Sequence, residues 1–95
     1  MNAKAKGTRA EHRARRQLEA AGYLVTRAGG SLGLFDLVAV GPADAKLVQV
    51  KAGTARLSSR ERRAIAALVV PGNVTRECWR YPDRARRHEL SDLTP

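Results

Sequence analysis

Two largely apolar, β-branched segments joined by a short turn constrain this chain more than any other feature. They are Leu34–Val40 (LFDLVAV) and Lys46–Lys51 (KLVQVK), with Gly-Pro-Ala-Asp from Gly41 between them. So short a connection leaves no room for a crossover, so the segments are expected to pair antiparallel. The first is apolar at nearly every position, the pattern of a strand covered on both faces. In the second, Leu47, Gln49 and Lys51 share one face while Val48 and Val50 take the other.

Thr8 opens a helical segment ahead of the hairpin, in which Ala10, Ala14, Leu18 and Ala21 recur at helical spacing until Gly22 supplies a left-handed cap. Tyr23–Arg27 is expected as a strand, and the glycine-rich stretch 28–33 as a loop. Beyond the hairpin, Ser58 caps a second helix with Glu61 closing a capping box. Ala64, Ile65, Leu68 and Val69 form its expected buried stripe, and Pro71-Gly72 ends it. Val74–Tyr81 (VTRECWRY) alternates like an edge or interface strand, and the polar remainder is expected to fray or form a short helix. The order is αβββαβ, and 95 residues make one domain, 1–95. With only four aromatics, burial rests on Ala, Leu and Val, so a partner subunit covering more surface is expected. The single cysteine, Cys78, forms no internal disulfide, and its spacing suits packing.

Eighteen Lys and Arg against nine Asp and Glu give a net charge of +9, which favours a polyanionic partner, nucleic acid first. Fourteen of those cations are Arg, whose planar fork pairs bidentately with phosphate where Lys would serve solubility equally well. Membrane binding is disfavoured, because the Arg-rich first helix offers mostly Ala opposite its charges and no apolar run approaches a transmembrane span. No signal peptide opens the chain, so a cytoplasmic location is expected.

Asp36 is the most informative residue. A carboxylate between Leu, Phe, Val and Ala must be desolvated unless something positive meets it, either a bound cation or, more plainly, backbone amides or an Arg. On the neighbouring strand Gln49 and Lys51 project to one side about 7 Å apart, which suits one neutral oxygen ligand and one cation. Glu11 borders the buried stripe of the first helix and could reach the same sheet edge. Thr8-x-x-Glu11 is equally a capping box that would engage that carboxylate. Oxygen donors with water suit magnesium, whereas one Cys and two distant His residues, His12 and His88, do not suit zinc. There is no spacing for a Ser-His-Asp or Cys-His nucleophile, and GGSLG lacks the Lys-Ser/Thr ending of a nucleotide phosphate loop.

A Glu on the first helix, an Asp in the second strand and a Gln-x-Lys pair in the third resemble the PD-(D/E)xK nuclease core. Over residues 6–52 the stretches KGTRAEHRARRQLEAAGYLVTRAGGS, FDLVAV and VQVK are similar to archaeal-type Holliday junction resolvases. The resemblance implies an α/β, restriction-endonuclease-like αβββαβ core, a mixed sheet flanked by helices. It also implies metal-dependent cutting of four-way DNA junctions to 5′ phosphate and 3′ hydroxyl ends, in a homodimeric protein of prokaryotic or phage origin. By that likeness Glu11, Asp36 and Gln49 take the metal positions, with Mg2+ as cofactor and Mn2+ as substitute, and Lys51 that of the catalytic lysine. Arg27 and Ser31 are implied as phosphate or active-site contacts. Arg9, Arg13, Arg15 and Arg16 on the first helix and Arg60, Arg62 and Arg63 on the second are candidates for holding branched double-stranded DNA by its backbone. The dimer surface is expected on the second helix or on the last strand with Trp79 and Tyr81. The sequence departs from the family pattern at Gln49, where these resolvases usually have Glu, and at His12, where Arg often follows the helix Glu. Two alternatives follow: another nuclease of the superfamily, acting on transposon ends or linear duplex, or a noncatalytic DNA-binding module.

Overall fold

The computed structural model describes residues 3–28, 34–82 and 89–92. Its elements run α1 (Ala3–Ala20), β1 (Leu24–Arg27), β2 (Leu37–Val40), β3 (Ala45–Ala52), α2 (Ser59–Ala67), β4 (Val74–Tyr81) and β5 (Glu89–Asp92). The strands form one sheet in sequence order. β3 and β4 are parallel, with Ala45 opposite Val74 through Ala52 opposite Tyr81, and every other pairing is antiparallel. The single parallel step is the one bridged by a helix, as a crossover requires. The sheet is therefore mixed and carries a helix on each face.

Ala10, Ala14 and Leu18 of α1 pack on Val25, Leu37, Ala39, Val48, Val50, Trp79 and Tyr81. On the opposite face Ile65 of α2 and Leu57 meet Phe35 and Cys78. Burial pushes the Cys78 thiol pKa up, against the nearby positive charges of Lys51, Arg62 and Arg80, and the side chain is inert packing. At the end of α1, Gly22 has φ +98°, Tyr23 N–H donates to the Leu18 carbonyl and Gly22 N–H to that of Glu19. These are the paired bonds of a Schellman cap. α2 has the expected capping box: Ser58 Oγ accepts from Glu61 N–H, and the Glu61 carboxylate accepts from Ser58 N–H. Arg76, buried on β4, donates to the Ile65 and Leu68 carbonyls and so closes the other end of α2.

The turn between β2 and β3 is sealed by Tyr23. A Cβ on Gly41 would stand 2.8 Å from the Tyr23 ring, so only glycine fits there. The Tyr23 hydroxyl donates to Asp44, which in turn holds Gly41 N–H through its backbone carbonyl.

Several expectations are corrected. α1 begins at Ala3, so Thr8 lies inside the helix and no capping box forms with Glu11, while Ala21 lies beyond the helix and is exposed. β2 begins at Leu37 and is covered fully only by α1, leaving Val40 exposed. α2 ends at Ala67 and buries Ile65 alone. Ala64 faces solvent, and Leu68 and Val69 follow the helix as exposed residues. β4 is an interior strand, because β5 forms where fraying or a short helix was expected. Trp79 and Tyr81 consequently belong to the core against α1 and not to an exposed dimer surface, although the edge of Tyr81 also borders a groove.

Candidate active site

The sheet opens where β2 leaves β3. The ladder holds Leu37 opposite Val48, but Asp36 N–H reaches back to the Val48 carbonyl, one residue out of step. The next β3 amide, Val50 N–H, is met by the Asp36 side chain, whose Oδ2 accepts at 2.7 Å. A carboxylate thus replaces the departing backbone, with a charge-assisted bond that satisfies the strand as it forks. Among the described residues Asp36 Oδ1 has no hydrogen-bond partner.

Val50 lies between Gln49 and Lys51, whose side chains leave β3 on the face away from α1. Gln49 is 8% exposed. Its amide nitrogen donates to the Leu34 carbonyl at 2.7 Å, and its oxygen accepts from Lys51 Nζ at 3.3 Å, the one orientation that satisfies both. Leu34 is two residues before Asp36, so the same segment that supplies the carboxylate anchors Gln49. Lys51 Nζ also lies 3.3 Å from Glu61 Oε2, at the first turn of α2. Nothing in the spacing of Glu61 from β3 suggested this contact; the only signal was the Ser58-x-x-Glu61 cap, which accounts for one of its two oxygens. The Ser58 amide, and after it the Lys51 ammonium, hold the Glu61 carboxyl pKa below its usual value despite partial burial.

Glu11 approaches from the α1 side. Freed from the expected capping role, it faces Arg27 across the gap to β1, Oε1 to Nε 3.6 Å. Burial raises its pKa, and the neighbouring Asp36 charge raises it further, against the opposing pull of Arg27 and His12. A buried carboxyl raised in this way, beside a second carboxylate, is one a cation would relieve. Glu11, Asp36 and the Gln49 carbonyl are hard oxygen donors suited to magnesium or manganese. Among the described residues no three His, Cys, Asp or Glu side chains are grouped as a metal cluster, and the further hard oxygen beside Asp36 and Glu11 is the neutral Gln49 carbonyl.

The cations fall into three sets. Arg9, Arg13 and Arg16 are exposed on α1 and, with Lys6 and His12, line an open groove of about 630 Å³ whose other wall is Ala52, Gly53, Tyr81 and Pro82. Arg13 lies 5.1 Å over the Tyr81 ring. Arg15 and Arg27 border a smaller pocket with Glu11 and His12. Arg60, Arg62 and Arg63 are exposed on α2, across the sheet from the groove. Lys6, Ala52 and Gly53 also border the recess around Lys51, so the groove continues to Lys51 and the Val50 side of the fork. Ser31 and the rest of the glycine loop lie outside the described residues.

No protein-family model matches the sequence, and no curated protein matches it. Among solved structures the chain is similar to Hjc of Archaeoglobus fulgidus, a Holliday junction resolvase from an archaeal hyperthermophile. The TM-score is 0.75 at 22% identity, over 93% of this chain and 73% of that one. The chain therefore has the restriction-endonuclease-like fold of an archaeal Holliday junction resolvase.

Proposed function

We propose that this chain is a cytoplasmic, structure-specific endonuclease that cuts four-way DNA junctions by metal-dependent phosphodiester hydrolysis. The observation that carries the reading is the fork itself. Asp36 caps the Val50 amide with one oxygen, its other oxygen has no partner among the described residues, and Gln49 and Lys51 flank that amide along β3. Glu11, Asp36 and Gln49 would hold Mg2+, or Mn2+ in its place. A bound divalent cation would polarise the phosphate and lower the pKa of the attacking water.

The chain's own residues supply the rest. Lys51, fixed by Gln49 and Glu61, presents an ammonium that orients water and stabilises charge developing on a phosphate oxygen. Arg9, Arg13 and Arg16 track the backbone along the groove leading to the fork, and Arg27 and Ser31 contact phosphate beside Glu11. Arg60 and Arg63 hold a second arm from the α2 side. Symmetric cutting requires two sites, hence a homodimer. With Trp79 and Tyr81 in the core, its surface falls to exposed apolar residues. Leu24 opposes Val40 at the β1–β2 edge, and Val69 follows α2.

The test is incubation of a labelled mobile four-way junction with the protein and magnesium, beside its component duplexes and the Lys51→Ala variant. Paired nicks in the junction alone, lost in the variant, are expected. Equal cutting of all substrates indicates another nuclease of this fold. One observation favours a second reading, a noncatalytic DNA-binding module: the Gln49 oxygen already accepts from Lys51 while its nitrogen is tied to the Leu34 carbonyl. Salt-sensitive junction binding without nicking in Mg2+ or Mn2+, unchanged by Asp36→Ala, would establish that reading instead.

A further inference from the structure

A lysine side chain has four flexible bonds, and its ammonium is placed only as well as its partners place it. Gln49 is neutral, so Glu61 carries the only negative charge in contact with Lys51 among the described residues. The carboxylate is itself held at both ends. Oε1 accepts from Ser58 N–H at 2.9 Å while Oε2 faces the ammonium, and Glu61 N–H returns a bond to Ser58 Oγ at 3.1 Å. The helix cap and the lysine bracket are one device. Were Glu61 only a cap, its second oxygen would have no reason to lie over β3; were the ion pair only a surface contact, it would not be tied to the first turn of a helix.

We propose that Glu61 is a positioning residue, supplying from α2 the negative charge that β3 lacks at position 49 and so fixing the Lys51 ammonium at the fork. The proposal rests on the reading of Lys51 as catalytic. It makes Glu61 a partner of the lysine and not a metal ligand, consistent with its contact to Lys51 while Asp36 engages the Val50 amide and Glu11 faces Arg27.

Glu61→Gln separates the two duties, because Gln can still accept from the Ser58 amide but carries no charge. Ser58→Ala does the reverse. The expected result for Glu61→Gln is a roughly 10- to 100-fold fall in single-turnover nicking, the loss that a misplaced catalytic group gives, with unchanged affinity for the junction and an unfolding midpoint lowered by no more than about 4 °C. Ser58→Ala should lower the midpoint by about 4–8 °C and leave the rate within about twofold. In a Lys51→Ala background Glu61→Gln should cost nothing further. Manganese binding to the DNA-free protein should be unaffected by Glu61→Gln and weakened by Asp36→Ala.

A wild-type rate in Glu61→Gln, or a full additional loss in the Lys51→Ala background, overturns the proposal. So does weakened manganese binding, which would make Glu61 a ligand. Acetylation of Lys51 by acetic anhydride, read by mass spectrometry against Lys6, decides the matter without catalysis. Glu61→Gln should raise Lys51 labelling severalfold, and unchanged labelling means that Glu61 does not hold it. If the wild-type protein cuts no substrate, the nuclease reading fails and the labelling result alone stands for or against the bracket.

Discussion

Replacing Glu77 by Gln tests the polar cluster that ties the start of β3 to β4. Glu77 is 8% exposed and accepts from Lys46 Nζ at 2.8 Å, Thr75 Oγ1 at 2.6 Å and Trp79 Nε1 at 2.9 Å. Gln keeps one acceptor oxygen and turns the other into an NH2 group that must face a donor. Breaking a buried ion pair by removing one partner costs about 3–5 kcal/mol. Lys46 is 22% exposed and has Asp44 at 3.9 Å to turn to, which softens the loss. We therefore expect a cost of about 2–4 kcal/mol. For 95 residues the unfolding entropy is about 0.2 kcal/mol per degree, so the midpoint should fall by about 10–20 °C.

Trp79 is the only tryptophan and is bonded to the mutated group, so its fluorescence reports the transition directly. Acid adds a second check. Burial pushes the Glu77 pKa up, but its bonds to Lys46, Thr75 and Trp79 outweigh that and leave it below its ordinary value of 4.5. A carboxyl depressed in the folded state contributes stability that is complete above its unfolded pKa and disappears as pH falls through the folded one. The gap between wild type and variant should be constant near neutrality and narrow below about pH 4.5. A midpoint change under about 4 °C, or a gap indifferent to acid, would refute the assignment of this cluster as a structural clamp.

Gln49→Glu should lower the magnesium concentration needed for half-maximal nicking, while placing a carboxylate against the Leu34 carbonyl. That should cost about 1–3 kcal/mol of stability without metal, recovered on adding Mg2+ in a thermal melt. Glu11→Gln removes a charge that burial and the whole of its repulsion with Asp36 oppose more than Arg27 favours it, so the metal-free protein should melt slightly higher and gain less from Mg2+ than wild type does. Ile65→Ala empties the one fully buried position of α2 and should cost about 2–5 kcal/mol in denaturant unfolding. It should also slow nicking, because α2 carries Glu61.

The hairpin, the cap at Gly22 and the box at Ser58 were legible because each depends on a few neighbouring residues. What failed depended on distant ones. The alternation of β4 is the same whether its second face meets solvent or another helix, so Trp79 and Tyr81 could not be assigned until α1 was seen to cover them. Leu68 and Val69 continue the apolar period of α2, yet Arg76 draws in the Ile65 and Leu68 carbonyls and the helix stops. At the candidate site, the pairing of Gln49 with Lys51 followed from strand alternation alone. The fork did not, because a side chain standing in for a backbone partner leaves no mark on hydrophobic periodicity. Glu61 was hidden behind its capping role.

The sealed turn at Gly41 acts as the reading frame of the sheet. Tyr23 presses on the glycine and grips Asp44, so the number of residues between β2 and β3 has no slack. Adding one residue there would slide β3 by a single step, send Gln49 and Lys51 toward α1 and bring Val48 and Val50 to the mouth of the fork. Such an insertion would abolish the chemistry while leaving much of the composition of both strands intact. The exposed stretch Thr54–Arg56, which has no such clamp, is where a label or linker could be accepted.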